Sequence, residues 1–302
     1  MITELEYKSL ALQGHNRIPL MAEAFADLET PLSLYLKLAF AKDGGKYSFL
    51  LESVVGGERF GRYSFIGLPA RTWLRSTGFG DQAMTEVVKD GAVVETDHGN
   101  PLDFIDRYQK RFKVALRPGM PRFCGGLAGY FGYDTVRHIE KKLAASCPPD
   151  SLGCPDIMLL QTEELAVIDN LSGKLYLMVY TDPGEVEAYA NGKKRLREID
   201  RRIRFLTKRL EIAEVTDPSV HLGKDQVFFG ATVTYVEEAG AERTVTILGI
   251  DEADSLKGEV TWISPIARAL IKAREGDVVK LVTPLGVQEV EVLRVLYPQA
   301  SL

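Results

Sequence analysis

The stretch NGKKRLREIDRRIRFLTKRL, residues 191–210, decides how this chain is organised, because it carries one long helical pattern. Its apolar residues are spaced by three, four, three and four positions: Leu196, Ile199, Ile203, Leu206 and Leu210. A stripe with this heptad spacing is typical of a helix that packs along another helix. We predict a linking helix over residues 185–214, which separates an amino-terminal domain, residues 1–184, from a carboxy-terminal domain, residues 215–302.

The amino-terminal domain alternates short strand patterns with a few helical ones. Thr30 and Pro31 form a helix start, and a further helix is predicted over residues 101–112. Strand patterns cover residues 47–52, 62–67, 83–87, 92–95, 157–168 and 174–181. The dipeptide DG at residues 90–91 marks a hairpin. Together these patterns predict an α+β domain with a largely antiparallel sheet.

The carboxy-terminal domain has a different and more compact pattern. Its strand candidates are residues 227–236, 244–250, 260–263, 278–283 and 287–296. Ser264 and Pro265 begin one short helix, predicted over residues 266–272. Five strands with one helix predict a small sheet or barrel domain.

The composition limits the classes of function. A net charge of −5 argues against binding polyanions by bulk charge. The three cysteines, Cys124, Cys147 and Cys154, are too few and too scattered for a disulfide framework or a zinc site, so we expect no metal and no cofactor. The polar start is unlike a signal peptide, and no apolar run approaches the ~20 residues that span a bilayer. We therefore expect a cytoplasmic protein without membrane contact.

Two blocks of the amino-terminal domain carry a family resemblance. They are LLES, residues 50–53, with GGERFGRYSFIG, residues 56–67, and FCGGLAGYFGYDTVR, residues 123–137. Over residues 5–190 the chain resembles the amino-terminal region of anthranilate synthase component I, which in that family binds tryptophan as a feedback inhibitor. The resemblance implies a tryptophan pocket lined by five residues: Glu52, Ser53, Phe60, Arg62 and Tyr63.

The residue types in this set suit an amino-acid ligand. A carboxylate accepts hydrogen bonds from an ammonium group, a guanidinium donates to a carboxylate, and aromatic rings contact an indole. The alternative interpretation is the edge of a strand–turn–strand unit with solvated polar side chains. The glycines of residues 125–132 lack the order G-x-G-x-x-G and the lysine of a phosphate loop, so we predict a closely packed strand there.

Catalysis is not expected from this half of the chain. In the resembled family, the residues that bind chorismate and magnesium lie in a large domain that follows this region. No such domain follows residue 190 here. The resemblance therefore implies a non-catalytic fragment of the tryptophan pathway that retains the effector site only.

The second half resembles a different family. GKKRLREIDRRIRFLTKRL, residues 192–210, is similar to the second coiled-coil arm of Gre-type transcript cleavage factors, closest to the B type. VFFGATV, residues 227–233, DEAD, residues 251–254, and SPIARALIK, residues 264–272, are similar to the FKBP-like carboxy-terminal domain of that family. There this domain docks on the rim of the RNA polymerase secondary channel. The resemblance implies a polymerase-docking surface at Ile263, Ser264, Pro265, Ile266 and Arg268.

Each of these features has a plainer interpretation. Ser264 caps a helix in any case, and Ile266 fits a domain core. The nine basic residues of the linking helix, from Lys193 at one end to Arg209 at the other, predict a solvated helix face or, at most, weak contact with nucleic acid. Basic and acidic residues balance at 17 each from residue 191 onward. The acidic coiled-coil tip with which Gre factors hold a magnesium ion has no counterpart upstream of Gly192.

These observations predict a polymerase-binding, non-cleaving transcription elongation regulator fused to a tryptophan-binding type of domain. The alternative is a non-catalytic anthranilate synthase fragment. The heptad stripe has lost its partner arm, which leaves three outcomes: it packs on the amino-terminal domain, it pairs with a second copy, or it frays.

Overall fold

A computed structural model describes residues 1–26, 29–40, 43–52, 61–144, 152–238, 240–283 and 286–298. The chain divides into two compact units, Met1–Ile212 and Ala213–Leu302, which we call unit 1 and unit 2. Within the described ranges, no helix is both long enough and apolar enough to cross a bilayer.

Unit 1 is built around two antiparallel sheets. The strands in its described residues are β1 Ile18–Phe25, β2 Phe49–Leu51, β3 Tyr63–Gly67, β4 Thr72–Thr77, β5 Met84–Lys89, β6 Ala92–Asp97, β7 Gly126–Phe131, β8 Ile157–Thr162, β9 Glu164–Asp169 and β10 Lys174–Thr181. The first sheet has the order β1-β10-β9-β3-β2, and the second has the order β6-β5-β4-β8-β7. The predicted α+β class with largely antiparallel sheets is confirmed.

The α-helices in the described residues of unit 1 are α1 Glu4–Leu12, α2 Pro31–Tyr35, α3 Pro101–Gln109, α4 Lys141–Ala144 and α5 Ala188–Glu211. Side-chain caps begin α1, α2 and α3, whereas α5 begins without one. The Thr30 hydroxyl accepts a hydrogen bond from the Ser33 amide, and Pro31 occupies the first turn of α2. A π-helical turn, Leu36–Phe40, follows α2 directly. The predicted helix start at residues 30–31 is therefore confirmed.

The long helix α5 packs on the first sheet of unit 1. Leu196, Ile199 and Ile203 are buried in the same apolar cluster as residues of β1, β9 and β10. The stripe then leaves this core, because Leu210 is 63% exposed whereas Leu196 is 1% exposed. Of the three outcomes that the sequence left open, the structure shows the first: the amino-terminal domain covers the stripe.

Gly192 allows α5 to lie close to the sheet. A Cβ atom at this position would stand 2.4 Å from Thr181 Cγ2 and 2.8 Å from Leu20 Cδ1. A larger residue would require the Thr181 and Leu20 side chains, or α5 itself, to move. The close approach of α5 to the sheet therefore depends on the glycine at residue 192, near the start of the helix.

A buried ion pair fastens the carboxy-terminal half of α5. Lys37 Nζ lies 2.6 Å from Glu29 Oε1, and the two side chains are only 7% and 5% exposed. Lys37 also donates to the Thr207 hydroxyl at 2.9 Å, and that hydroxyl donates to Glu29 at 2.8 Å. Thr207 thus ties α5 to the segment around α2.

The helix α1 and the strands β1 and β4 have no counterpart in the sequence prediction, and several bounds differ from it. Residues 157–168 were expected to form one strand, but they form β8 and β9, which belong to different sheets. Glu163 stands between them, and its carbonyl oxygen accepts the Tyr180 amide at 2.8 Å. The polar residues QTEE, 161–164, interrupt the apolar pattern, but periodicity does not show that the strands on either side belong to different sheets. The linking helix begins at Ala188 rather than residue 185, because Glu187 has a left-handed φ of 54°.

Unit 2 contains one sheet and one short α-helix in its described residues. The strands are β11 Thr232–Glu237, β12 Glu242–Leu248, β13 Glu259–Thr261, β14 Val278–Thr283 and β15 Gly286–Leu296, and the helix is α6 Pro265–Leu270. The sheet order is β13-β12-β11-β15-β14, with β12 and β13 parallel. Ala267 and Leu270 of α6 are buried with Val233, Val290 and Val292 of the sheet. The predicted small five-stranded domain with one helix is confirmed.

Candidate functional site

The segment that joins β13 to α6 is held rigidly by its own hydrogen bonds. The Ser264 amide donates to the Thr261 carbonyl at 2.8 Å, and the Ser264 hydroxyl accepts from the Ala267 amide at 3.3 Å. Pro265 fixes the first turn of the helix. This geometry presents a short stretch of backbone and side chains with little freedom to lose on binding.

The five predicted docking residues divide between the surface and the core. Ile263, Pro265 and Arg268 are exposed, and Ser264 is half-buried. Ile266 is half-buried too, but it packs against the core of unit 2. The structure therefore brings three of the five together on the surface, while Ser264 acts as the cap and Ile266 supports the helix from inside.

Trp262 adds an aromatic ring that the sequence analysis missed. Its side chain is 48% exposed and immediately precedes Ile263. Its backbone amide donates to the Leu248 carbonyl at 2.9 Å, which fixes the position of the residue beside β12. The sequence could have identified Trp262 as a docking residue, because it stands next to a Ser-Pro helix start and tryptophan is enriched in binding hot spots. We call Trp262, Ile263, Pro265 and Arg268 the platform.

The platform has the composition of a small protein-binding surface. It combines an aromatic ring, two aliphatic side chains and one guanidinium group on rigid backbone. Such a set favours an apolar contact flanked by one charge-assisted hydrogen bond to an acidic group.

The predicted tryptophan-site residues are only partly described. Ser53 and Phe60 lie outside the described residues, and Glu52 is exposed directly after β2. Arg62 forms a two-pronged ion pair with the buried Asp169, with Nε to Oδ1 at 3.1 Å and Nη2 to Oδ2 at 2.8 Å. Hydrogen bonding from Arg62 lowers the pKa of Asp169, despite the opposing effect of burial. The guanidinium is therefore already paired and lies over the Tyr63 ring at 4.9 Å.

Aromatic side chains gather on one face of the first sheet, beside β2 and β3. The Phe65 and Phe123 rings meet edge to face at 5.4 Å, and Phe49 lies 6.3 Å from Phe123. Tyr63 and Tyr176 pack against the same cluster. Among the described residues of the predicted set, Tyr63 belongs to this group and Glu52 and Arg62 do not. Phe65 and Phe123 lie in the two quoted sequence blocks but were not among the predicted pocket residues.

The outer face of α5 is strongly basic. Nine Lys and Arg residues and three acidic residues lie between Ala188 and Glu211. Arg195 pairs with Glu164 at 2.6 Å and Arg204 with Asp200 at 3.1 Å, whereas Lys194, Arg197 and Arg201 point to solvent. This arrangement fits the predicted solvated helix face. Contact between this face and nucleic acid stays a prediction.

The described residues contain no group of three or more His, Cys, Asp or Glu side chains placed to hold a metal ion. Cys124 is buried and Cys154 is exposed, both as free thiols. Cys147 lies outside the described residues.

Comparison with known proteins divides the chain at α5. Residues 222–297 match the family described as transcription elongation factor, GreA/GreB, C-term. Transcription elongation factor GreB of Neisseria meningitidis serogroup B is 59% identical over 116 residues, which cover 38% of this chain and 71% of that protein. A solved structure of a prokaryotic transcription elongation factor GreA/GreB from Nitrosomonas europaea is 27% identical, covers 29% of this chain and 74% of that one, and has a TM-score of 0.24.

The other part of the chain has different relatives. Anthranilate synthase component 1 of Neisseria meningitidis serogroup C is 51% identical over 207 residues, which cover 68% of this chain. This chain spans only 40% of the length of that relative. The chain is therefore a chimera of a partial anthranilate synthase component 1 sequence and a Gre-type sequence.

The two matches overlap within α5. The synthase match covers 68% of this chain and the GreB match covers 38%, so the two together exceed its length and overlap where one gives way to the other, around α5. This helix is thus similar to both relatives at once, which agrees with its heptad stripe being buried on the first sheet of unit 1.

Proposed function

Because this chain belongs to the GreA/GreB family of transcription elongation factors, we propose that its unit 2 binds RNA polymerase through the platform. The observation that carries the proposal is the exposure of Trp262, Ile263 and Pro265 on a backbone fixed by the Ser264 cap. All four platform residues lie in unit 2, which supports binding by unit 2 in the fused chain.

We propose further that the bound chain does not stimulate transcript cleavage. In the resembled Gre factors the cleavage tip joins two coiled-coil arms. Here Leu196, Ile199 and Ile203 of the stripe are buried against the first sheet of unit 1, so this part of α5 is not available to a second arm. The residues before α5 form β10 and a turn rather than a helical arm with an acidic tip. The chain would then occupy the polymerase without supplying a second magnesium ligand.

Replacing Trp262 with alanine is expected to weaken polymerase binding by about tenfold or more, the usual loss at a central aromatic anchor. The measurement is fluorescence anisotropy of the labelled full chain titrated with bacterial core RNA polymerase. Val278→Ala is the matched control, because Val278 is an exposed apolar residue of unit 2 on β14, away from the platform sequence. Equal binding by the Trp262 and Val278 variants would place the contact elsewhere.

A second candidate function is binding of L-tryptophan by unit 1. The aromatic cluster of Phe49, Tyr63, Phe65 and Phe123 favours it, since it offers ring surface that suits an indole. The exposed Glu52 follows directly after β2, the strand that carries Phe49. Because Arg62 is already paired with Asp169, a different donor would bind the ligand carboxylate. Arg62 would then position the Tyr63 ring rather than hold the ligand.

Millimolar L-tryptophan is expected to raise the unfolding temperature of unit 1, because a ligand that binds only the folded state stabilises it by about 1–3 kcal/mol at ten- to hundredfold excess over Kd. Scanning calorimetry is the suitable measurement, since free tryptophan dominates fluorescence. D-tryptophan should have little effect, and Glu52→Gln should abolish the shift while Glu140→Gln, at another exposed glutamate, should retain it. An unchanged transition with L-tryptophan would remove this candidate.

A further inference from the structure

A cleft opens in unit 1 beside two places where the chain crosses from one sheet to the other. Residues 68–72 lead from β3 to β4, residues 161–164 lead from β8 to β9, and both segments contribute to its lining. Asn191 and Gly192, near the start of α5, contribute as well. The volume of the cleft is about 790 Å³, within the range of about 300–1,000 Å³ that is usual for small-molecule sites. We call it the crossing cleft.

Hydrogen bonds fix several polar side chains of the lining. The Tyr108 hydroxyl donates to Gln161 Oε1 at 2.6 Å, and Gln161 Nε2 donates to Glu163 Oε1 at 2.7 Å. Arg17 Nη1 donates to Asp182 Oδ2 at 2.7 Å. Tyr108 and Gln161 are both buried. A ligand in the crossing cleft therefore meets groups whose positions are already set, which lowers the cost of binding.

Most charged side chains of the lining are neutralised within unit 1. Four ion pairs do this: Arg17 with Asp182, Arg71 with Asp90, Arg111 with Glu95 and Arg195 with Glu164. Glu163 accepts from Gln161 and lies 4.0 Å from Arg17. Among the described residues, Lys89 and Glu185 are the two charged side chains of the lining without an ion pair or a side-chain hydrogen bond. The crossing cleft thus offers one ammonium and one carboxylate that no protein group satisfies.

These two charges select the class of ligand. Lys89 ends β5 and Glu185 precedes α5, so the two groups are carried by different elements and do not pair with each other. A carboxylate suits the Lys89 ammonium, and an ammonium suits the Glu185 carboxylate. An anion or a cation alone would leave one of them unmatched. The ligand that satisfies both is a zwitterion.

The size and polarity of the lining favour a peptide over a single amino acid. The volume of about 790 Å³ exceeds what one amino acid fills. Thr72 and Asn191 add a hydroxyl and an amide side chain to the lining, and such groups bond the N–H and C=O groups of a peptide. A short peptide also places its two charges at opposite ends, which matches groups held on separate elements.

We propose that the crossing cleft binds a short peptide with free termini, whose carboxylate contacts Lys89 and whose amino group contacts Glu185. The site lies wholly within unit 1. It uses neither Glu52 nor the platform, so it is independent of both functions proposed above.

The test is isothermal titration calorimetry of the full chain with trialanine as the probe. N-acetyl-trialanine lacks the amino charge and trialanine amide lacks the carboxylate, and each should bind about tenfold more weakly than trialanine. L-alanine should bind more weakly as well, because it cannot span both groups. Glu52→Gln should leave trialanine binding unchanged, which separates this site from the proposed tryptophan site.

Two substitutions identify which end of the peptide each charge contacts. Lys89→Met should weaken trialanine about tenfold but leave the affinity for trialanine amide unchanged, since that probe has no carboxylate to lose. Glu185→Gln should weaken trialanine to the same extent and leave N-acetyl-trialanine unchanged. A general loss of structure would lower the affinity for all probes alike. Lys8→Met and Glu140→Gln, at exposed residues outside the lining, are the controls and should bind trialanine as the parent chain does.

Three results would overturn the proposal. The first is no binding of trialanine at millimolar concentration. The second is equal affinity for trialanine, its two blocked forms and L-alanine. The third is trialanine binding that neither the Lys89 nor the Glu185 variant weakens, because the peptide would then lie elsewhere on the chain.

Discussion

Replacing Leu196 with aspartate is expected to destabilise unit 1 by at least about 3 kcal/mol, because it empties a fully buried leucine site and places a charge in it. Leu196 is 1% exposed in the cluster that α5 shares with the first sheet. If α5 instead frayed into solvent, the same substitution would cost only a few tenths of a kcal/mol. The size of the effect therefore reports whether the sheet covers the stripe.

The chain offers a clean measurement and a matched control. Its two tryptophans fall one in each unit, with Trp73 buried against Tyr47 in unit 1 and Trp262 in unit 2. In a Trp262→Phe background, tryptophan fluorescence during urea unfolding reports unit 1 alone. Leu210→Asp makes the same chemical change on the same stripe at an exposed site and should have little effect. Similar losses for the two variants would mean that α5 does not pack as described.

Replacing Lys37 with methionine is expected to cost about 3–5 kcal/mol in unit 1, because it leaves the Glu29 carboxylate buried without its cation. Replacing Glu29 with leucine in the same chain should recover most of that loss, since no charge is then left unpaired. The readout is again urea unfolding followed through Trp73. A double variant as unstable as Lys37→Met alone would show that the pair itself, rather than the orphaned charge, provides the stability.

An exposed pair of the same length serves as the control for this substitution. Lys174 Nζ lies 2.6 Å from Glu23 Oε1, the same distance as in the buried pair, but its side chains are 39% and 49% exposed. Lys174→Met should therefore cost no more than about 1 kcal/mol. The contrast between the two lysines isolates the contribution of burial.

The buried pair also sets part of the acid sensitivity of unit 1. Burial would raise the pKa of Glu29, but hydrogen bonds from Lys37, Ser33 and Thr207 outweigh it and hold the pKa below its ordinary value. A carboxyl with a lowered folded pKa contributes stability above its unfolded pKa and loses it as pH falls through the folded one. Wild type should thus lose more stability on acidification than the Glu29→Leu, Lys37→Met double variant.

Sequence reasoning recovered the fold where local chemistry decides it. Thr30 with Pro31 and Ser264 with Pro265 mark helix starts through a capping hydroxyl and a fixed φ, both of which depend on a few neighbouring residues. The strands of unit 2 were found because their apolar residues alternate within short windows. The change of family at α5 was evident from motifs that sit on either side of it.

What the sequence could not supply were contacts between distant segments. The division of residues 157–168 into strands of two sheets depends on where β3, β4 and β10 lie, which no local pattern encodes. The partnership of Glu29, Lys37 and Thr207 joins residues more than 160 positions apart. Likewise, the motif around Arg62 suggested a cation free to bind a ligand, and it did not indicate that Arg62 pairs with Asp169, 107 residues away.

The linking helix α5 explains how two partial sequences can form one folded chain. α5 is similar to both relatives, and its stripe matches a sheet that would otherwise expose Leu20, Leu177 and their neighbours. Burial of each large aliphatic side chain on this face is worth roughly 1.5–3 kcal/mol. Unit 1 therefore keeps its covering helix while unit 2 keeps its own core and platform.

The most direct test of polymerase binding is competition between the full chain and an intact Gre factor. The labelled chain is bound to core RNA polymerase and titrated with unlabelled Neisseria meningitidis GreB. We predict complete displacement by GreB, and reciprocal displacement of labelled GreB by this chain. No binding of the chain at tens of micromolar, or binding that GreB does not displace, would contradict the account.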